Sequence, residues 1–433
     1  MDILTINDKL GELPASYYVA TANMELKFPT ATGDLNCDVC VIGGGFTGLS
    51  SALHLAEKGF DVILLDAHRI GWGASGRNGG QMATGQRVGQ DELEKMVGLD
   101  HARKLFNLSV ESVALVHSLV KRHKINCGFH SGILHADHKA RFVPHSHAYV
   151  EKMLREYGYD KLRAVSKTEI NEMIGTEVYF GGSLDMGSGH LHPLNYALGL
   201  AAAAKKAGVR LFDQSRVNRI EHTAPARVHT SKAKIQADFV VMGCNGYIGD
   251  LEKEVTSRVM PINNYILATE QLSDELASEV IRDNIAVADS KFVINYYRLS
   301  TDNRLLFGGT ESYRYKFPND IAADVRKPML EIYPQLRDIK VDYAWGGTLG
   351  VTMNRLPHFA RLSGNIFSAG GFSGHGVAMG TLAGRIMADA VAGQAGDFDV
   401  MANIPTQKFP GGTFFRWPLL VLAMTWFSLR DKL

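Results

Sequence analysis

Apolar and polar positions divide the first hundred residues into a short strand, a helix and a second strand. Val39 to Ile42 is an apolar run of the length that a strand buried on both faces requires. A helix is predicted from about Thr47 to Lys58, with small Ala52 where it meets the sheet and Gly59 as its stop. Val62 to Leu65 form the second run, and Asp66 closes it. Leu93, Met96, Leu99, Leu105, Leu108, Leu115 and Leu119 then fall at helical spacing and predict one long helix over 91–124. Gly128 to Ala136 and Val178 to Asp185 read as strands, and 145–157 as a helix. Ser166 with Glu169 is a capping box before a short helix. Pro193 opens an alanine-rich helix that Gly208 ends. Strands follow at Val209 to Phe212, Arg216 to Ile220 and Ala237 to Gly243. Residues 256–316 read as antiparallel sheet, with strands over 263–269, 291–299 and 304–309. A helix over 320–333, a strand over 341–349 and a strand–turn–helix unit over 365–392 complete the pattern.

The turn after the first strand carries Gly43, Gly45 and Gly48 as G-x-G-x-x-G, with Phe46 and Thr47 inside it. The first glycine allows a tight turn, the second lets backbone approach a pyrophosphate, and the third lets the helix sit close to the strand. Asp66 follows Gly43 by 23 residues, near the spacing of a carboxylate that bonds a ribose hydroxyl. A fingerprint framed by two strands and an acid predicts dinucleotide binding. Six glycines between residues 71 and 85 come next. Such a loop brings backbone amides to phosphates and to a flat ring, with Arg77 as a phosphate partner and Ser75 and Asn78 as hydrogen-bond donors. A second glycine turn, Gly370-Gly371-Phe372-Ser373-Gly374-His375-Gly376, opens the last helix and can aim its amides at negative charge. The first turn alone leaves nicotinamide and flavin cofactors open. Two turns about 330 residues apart call for one large cofactor, and a flavin dinucleotide fits both.

Composition narrows the classes. The chain has 433 residues, 45% hydrophobic and 21% charged, which suits a soluble globular protein of two domains. A net charge of +1 provides no field to attract nucleic acid. Four cysteines (Cys37, Cys40, Cys127, Cys244) and no N-terminal signal pattern suggest a reducing, cytoplasmic setting. Cys37 and Cys40 form a C-x-x-C, but residues three apart on a strand face opposite ways, so a structural role is expected. No metal-ligand cluster is evident. Trp417 to Leu429 is apolar but too short to span a bilayer. Packing on the body is the favoured reading, with contact at a membrane surface as the alternative.

At this point the residues resemble a known family. Gly43-x-Gly45-x-x-Gly48, Asp66, the glycine-rich loop and the C-terminal Gly-His-Gly turn resemble the D-amino-acid-oxidase type of FAD-dependent amine oxidases. RIGWGASGRNGGQ at 69–81, GHLHPLN at 189–195, YYRLSTDNRLLFGG at 296–309 and GFSGHGV at 371–377 are more similar still to the bacterial γ-glutamylputrescine oxidases. The resemblance implies an α/β FAD-binding (Rossmann-like) domain interleaved with an α+β substrate domain built on an antiparallel sheet. It implies an N-terminal extension over 1–29, FAD-binding segments at 30–90, 188–255 and 339–404, substrate segments at 91–187 and 256–338, and a C-terminal segment over 405–433. Cofactor contacts are then expected also at Ala67, Ala74, Gly79, Gly80, Gln81, Val217, Gly243, Asn245, Gly371, Gly374, Gly376 and Val377. Many relatives have Glu where this chain has Asp66, and no cysteine follows Cys244, so noncovalent FAD is expected.

The implied reaction oxidises the carbon next to an amine to an imine. Hydrolysis gives an aldehyde and ammonia, and dioxygen is reduced to hydrogen peroxide. The expected substrate is a γ-glutamylated polyamine, γ-glutamylputrescine. His375 is the leading catalytic candidate, beside the expected flavin ring. Tyr265, Tyr296 and Trp345 are candidate pocket walls, and Arg298 and Arg355 are candidates for the glutamyl carboxylate. The alternatives are a flavoenzyme that passes electrons to quinone, like D-amino-acid dehydrogenase, an oxidase of the glycine or sarcosine type, and a flavoprotein without turnover.

Overall fold

The computed structural model describes residues 2–312 and 314–410. The Trp417 to Leu429 segment lies outside the described residues. One sheet has eight strands. Its main path runs His358–Ser363, Ile366–Gly370, Ala233–Met242, Gly33–Ile42, Val62–Leu65, Arg210–Phe212. All neighbours after the antiparallel edge strand His358–Ser363 are parallel. Val217–Glu221 and Ala226–Thr230 add an antiparallel ribbon to Ala233–Met242. Parallel strands need both faces covered. Val39, Val41 and Leu64 pack under helices Phe46–Glu57, Pro193–Lys206 and Ala378–Val391. Cys40, Ile42, Ile63 and Leu65 pack in the opposite cluster with Val228 and Ile235. All four cysteines are free.

Helices Phe46–Glu57 and Ala378–Val391 lie in close contact where small residues face each other. A Cβ on Gly384 would stand 2.4 Å from the Thr47 carbonyl oxygen and 2.6 Å from Ser50 Cβ. Ser50 Oγ donates to the Thr381 carbonyl at 2.6 Å, and Ser51 Oγ to the Gly384 carbonyl at 3.0 Å. These bonds lock side by side the two helices that begin at the two glycine turns.

The second sheet has nine strands. Its path runs Val341–Val351, Met260–Thr269, Leu305–Ser312, Tyr296–Leu299, Ala286–Asp289, His130–Ala136, Gly182–His190, Gln81–Met82, and Leu162–Val165 joins Gly182–His190. It is antiparallel except where Ala286–Asp289 meets His130–Ala136. Tyr179, Tyr265, Tyr297, Phe307 and Tyr333 form its core.

Four expectations change. The long helix is two, Gln90–Val97 and Leu99–His123, because Gly98 adopts φ +81° and caps both. The strand read over 291–299 begins only at Tyr296, after a separate strand Ala286–Asp289. The Asp289 carboxylate accepts from the amides of Lys291 and Asn295 and folds 290–295 into a loop. Strand Val341–Val351, read with the FAD-binding segments, instead pairs with Met260–Thr269 in the second sheet. The N-terminal stretch is more than a surface extension. Tyr17 and Tyr18 are buried, and Tyr18 meets Trp345 edge-on at 5.2 Å.

Candidate active site

A cavity of about 1340 Å³ opens between the sheets. That exceeds the ~300–1,000 Å³ of ordinary small-molecule sites. One end is the first glycine turn, where Gly43, Gly45, Phe46 and Thr47 form the wall. Gly43 has φ +104°, and a Cβ there would lie 3.0 Å from the Gly243 carbonyl oxygen. A Cβ on Gly45 would lie 2.8 Å from Ser75 Oγ, so the backbone itself is the surface. Helix Phe46–Glu57 begins here with Gly45 as its N-cap and presents its positive dipole end.

Asp66 lines the same end. Its carboxylate accepts from the amides of Gly44 and His68, each at 2.7 Å. Burial pushes its pKa up to about 6, against the lowering effect of those two amides. Ala67, Ala74, Ser75, Asn78, Gly79, Gln81, Val217, Gly243 and Asn245 also line the cavity. Asn245 adopts φ +47° and its Oδ1 accepts from the Gly371 amide at 2.9 Å, tying the end of strand Ala233–Met242 to the second glycine turn. Gly374, His375, Gly376 and Val377 form the far wall, at the start of helix Ala378–Val391.

Several expected contacts have other duties. Arg77 reaches the cavity wall, but its guanidinium donates to the Trp72 carbonyl at 2.6 Å and the Gly346 carbonyl at 3.2 Å and pairs with Asp8 at 3.1 Å. Among the described residues, only Nη2 remains without a partner. Asn78 spends its amide on the Ala74 and Ser75 carbonyls and its oxygen on the Gly80 amide, so it shapes the loop. Ser75 Oγ accepts from the Phe46 amide at 2.9 Å, which leaves its own proton to donate. Gly48, Gly80 and Gly371 are not on the cavity wall. Gly48 and Gly80 admit neighbouring carbonyls, Gly43 O and Leu191 O, at 1.8 and 2.0 Å from where a Cβ would sit.

The substrate candidates divide. Tyr296 and Arg355 line the cavity; Tyr265, Arg298 and Trp345 do not. Tyr265 sits in the second core, edge-on to Phe317. Arg298 is buried and donates to the Gly79, Leu191 and Leu299 carbonyls, which places it among structural donors. Trp345 donates to the Arg77 carbonyl at 2.9 Å. Tyr296 owes its place to two glycines, since a Cβ on Gly79 or Gly308 would fall 2.7 or 2.2 Å from its ring. Its hydroxyl donates to Asn264 Oδ1. His190 ends strand Gly182–His190, and His192 caps helix Pro193–Lys206 by accepting from the Asn195 amide.

Sequence reading missed several wall residues: Trp72, Arg87, His135, Tyr247, Asp289, Phe292 and Glu311, and Asp2 to Leu4 at the N-terminus. Arg87 Nε donates to the Ser373 carbonyl at 3.2 Å, which brings it to the second turn. His375 is held neutral, its pKa pushed down to about 3 by burial and by the charge of Arg87.

The model of the FAD dependent oxidoreductase family matches residues 38–390, from the first strand to the helix after the second turn. The chain belongs to that family. FAD is therefore the cofactor of this oxidoreductase, and the residues present suit it. The bare-backbone cradle at Gly43 and Gly45 suits a pyrophosphate, and Arg77 Nη2 and Trp72 Nε1 are buried donors without partners among the described residues. Among relatives of this FAD dependent oxidoreductase, the γ-glutamylputrescine oxidoreductase of Escherichia coli (strain K12) is 41% identical over 98% of this chain and 100% of its own length. The probable oxidoreductase OrdL of Rhizobium meliloti (strain 1021) is 41% identical over 96% of this chain and 97% of its own. Glycine oxidase from Geobacillus kaustophilus superposes with a TM-score of 0.70 at 20% identity, over 83% of this chain and 95% of its own, which shows the shared fold. Among the described residues no helix is long and apolar enough to cross a membrane, and no group of side chains could hold a metal ion.

Proposed function

We propose that this FAD dependent oxidoreductase oxidises the primary amine of γ-glutamylputrescine to the aldehyde, releasing ammonia and passing electrons to dioxygen to give hydrogen peroxide. Full-length identity of 41% to an oxidoreductase of that name carries the reading. When bound, FAD would supply the two-electron oxidation of the carbon next to the amine. Asp66 and the first turn would hold its adenosine and pyrophosphate, and the turn around His375 its ring. Cys244 lines the cavity, but its thiol is pushed up to about 12 by burial and donates to the Ile42 carbonyl, which favours noncovalent binding over a flavin link at this residue.

The chain's own part is to bring the amine neutral to that ring. A primary alkyl ammonium has a pKa of ~10.4, and burial disfavours its charge. Phe292, Ile294, Tyr296 and Phe372 supply apolar wall for that purpose. His375 is already uncharged, so it adds no positive charge against the ammonium and remains available as a hydrogen-bonding group beside the ring. A peroxide-coupled screen over γ-glutamylputrescine, putrescine, sarcosine, glycine and D-amino acids tests the reading. Turnover of γ-glutamylputrescine with one peroxide per aldehyde is expected. Activity confined to the amino acids, or aldehyde formed only with an added quinone, refutes it.

A further inference from the structure

Among the charged side chains on the cavity wall are Arg87, Glu311 and Arg355, which come from three separate parts of the chain. Arg87 follows the glycine-rich loop and is fastened to the second turn through the Ser373 carbonyl. Glu311 stands near the end of strand Leu305–Ser312, opposite Asn264 of the neighbouring strand. Arg355 follows strand Val341–Val351 and lies over the Phe292 ring, its guanidinium carbon 4.8 Å from the centroid. It adopts φ +61°, a left-handed conformation that a non-glycine residue rarely takes. The turn holding it there is closed by its amide on the Thr352 carbonyl at 3.1 Å.

The three charges influence one another without being used up. Glu311 is pushed up by burial and drawn back down by Arg355 and then Arg87. Arg87 is lowered by burial and by Arg355 to about 10, so it stays charged at neutral pH. Yet among the described residues the Glu311 carboxylate makes no hydrogen bond and no direct ion pair, and Arg355 has no carboxylate partner. Asp289, another acid lining the cavity, differs in this respect. Its oxygens accept from Lys291 N, Asn295 N and Asn295 Nδ2 and are committed to the loop. All three are half-buried and line the cavity, so a bound group carrying both signs of charge would meet them directly.

We propose that Glu311 and Arg355, with Arg87 beside them, form the seat for a zwitterionic α-amino-acid head on the substrate, Glu311 receiving its α-ammonium and Arg355 its α-carboxylate. This rests on the reading under Proposed function and specifies how that substrate is told from a bare diamine. Two cations around one anion leave the seat net positive. A diamine protonated at both ends gains one favourable contact and two repulsive ones. A γ-glutamyl head is neutral overall and matches both signs, and a guanidinium offers its carboxylate two parallel donors.

Steady-state oxidation by FAD-loaded wild-type, E311Q and R355M proteins tests the assignment on three amides of putrescine. These are γ-glutamylputrescine, glutarylputrescine (no α-ammonium) and 4-aminobutyrylputrescine (no α-carboxylate). Wild type is expected to prefer the first over each truncated amide by roughly tenfold or more in kcat/KM, the discrimination a charge-assisted hydrogen bond gives, expressed mainly in KM. In E311Q the preference over the glutaryl amide collapses and the preference over the aminobutyryl amide persists; R355M shows the reverse. Flavin absorbance establishes loading of each variant, and the wild-type ratios test the seat without any variant. Equal wild-type rates on all three amides overturn the seat and leave the proposed function standing. An E311Q protein that loses kcat equally on all three, with a displaced pH profile, overturns it in favour of Glu311 acting on the reacting amine. No wild-type turnover of any of the three overturns the proposed function and the seat together.

Discussion

Gly48→Ala sets two effects of opposite sign against each other. Gly48 lies within helix Phe46–Glu57, where alanine ordinarily stabilises by ~1 kcal/mol over glycine. Here the added Cβ would stand 1.8 Å from the Gly43 carbonyl oxygen and 3.2 Å from Val41 Cγ1. Ordinary contact begins at 3.4 Å, so the helix must back away from the strand by ~1.5 Å, which a close-packed interior resists. Overpacking costs ~1–3 kcal/mol, and a backbone obstacle cannot rotate aside as a side chain does, so the upper part of that range applies. The steric term wins. At ~1–2 °C per kcal/mol for a chain of 433 residues, the net cost of ~1–2 kcal/mol should lower the melting temperature by roughly 1–4 °C. Because the displaced helix start forms the cofactor cradle, FAD affinity should fall as well, by about tenfold or more. Thermal unfolding of the cofactor-free and FAD-loaded proteins, with flavin absorbance for retention, measures both. Gly364→Ala is the control. Nothing lies within 4 Å of its Cβ, and its melting temperature should stay within ~1 °C. A Gly48→Ala protein that melts with wild type and holds FAD as tightly would refute the close-packing argument.

Other expectations concern the cofactor and the corrected contacts. Asp66 has a folded-state pKa of about 6 against 3.8 unfolded, so it favours the cofactor-free fold progressively as pH falls from about 6 toward 3.8. A ribose hydroxyl needs the ionised form, so apparent FAD affinity should drop by ~tenfold between pH 7 and pH 5; the same slope in D66N would remove Asp66 as the cause. Deleting residues 2–12 removes Asp2 to Leu4 from the cavity wall, the Leu4 carbonyl from His68 and Asp8 from Arg77. FAD should dissociate several-fold faster, as stopped-flow release would show, and an unchanged rate would deny this segment any part in retention. Arg298→Met strips donors from three carbonyls, those of Gly79, Leu191 and Leu299. At ~1–3 kcal/mol for each buried group left unmatched, it should melt several degrees lower, while KM per bound flavin stays put. A large rise in KM with normal melting would restore Arg298 as a substrate contact.

The cofactor end was the legible part of the sequence, because its chemistry is local. A strand, three glycines and a helix lie within twenty residues, and each glycine has a steric reason that survives in the structure, as the 1.8 Å gap at Gly48 shows. The substrate end is assembled from distant segments. Glu311, Arg355 and Arg87 come from three regions, and nothing in the neighbours of Glu311 marks it as lining a cavity rather than solvent. Arg298 illustrates the opposite error. It sits in a stretch that resembles relatives closely, yet its guanidinium is consumed by three backbone carbonyls that only the folded chain brings together. Gly98 and Asp289 show how single residues redraw elements. One breaks a continuous helical pattern with a positive φ, and the other curls a β-rich run into a loop. The C-terminal hydrophobic stretch lies outside the described residues.

The most direct measurement is anaerobic titration of the purified yellow protein with γ-glutamylputrescine, followed by flavin absorbance near ~450 nm. Oxidation of that amine by bound FAD requires complete bleaching at one equivalent, recovery of one aldehyde per flavin, and return of the oxidised spectrum with one peroxide on admitting air. An unchanged spectrum under excess γ-glutamylputrescine, with bleaching by glycine or a D-amino acid instead, would contradict it.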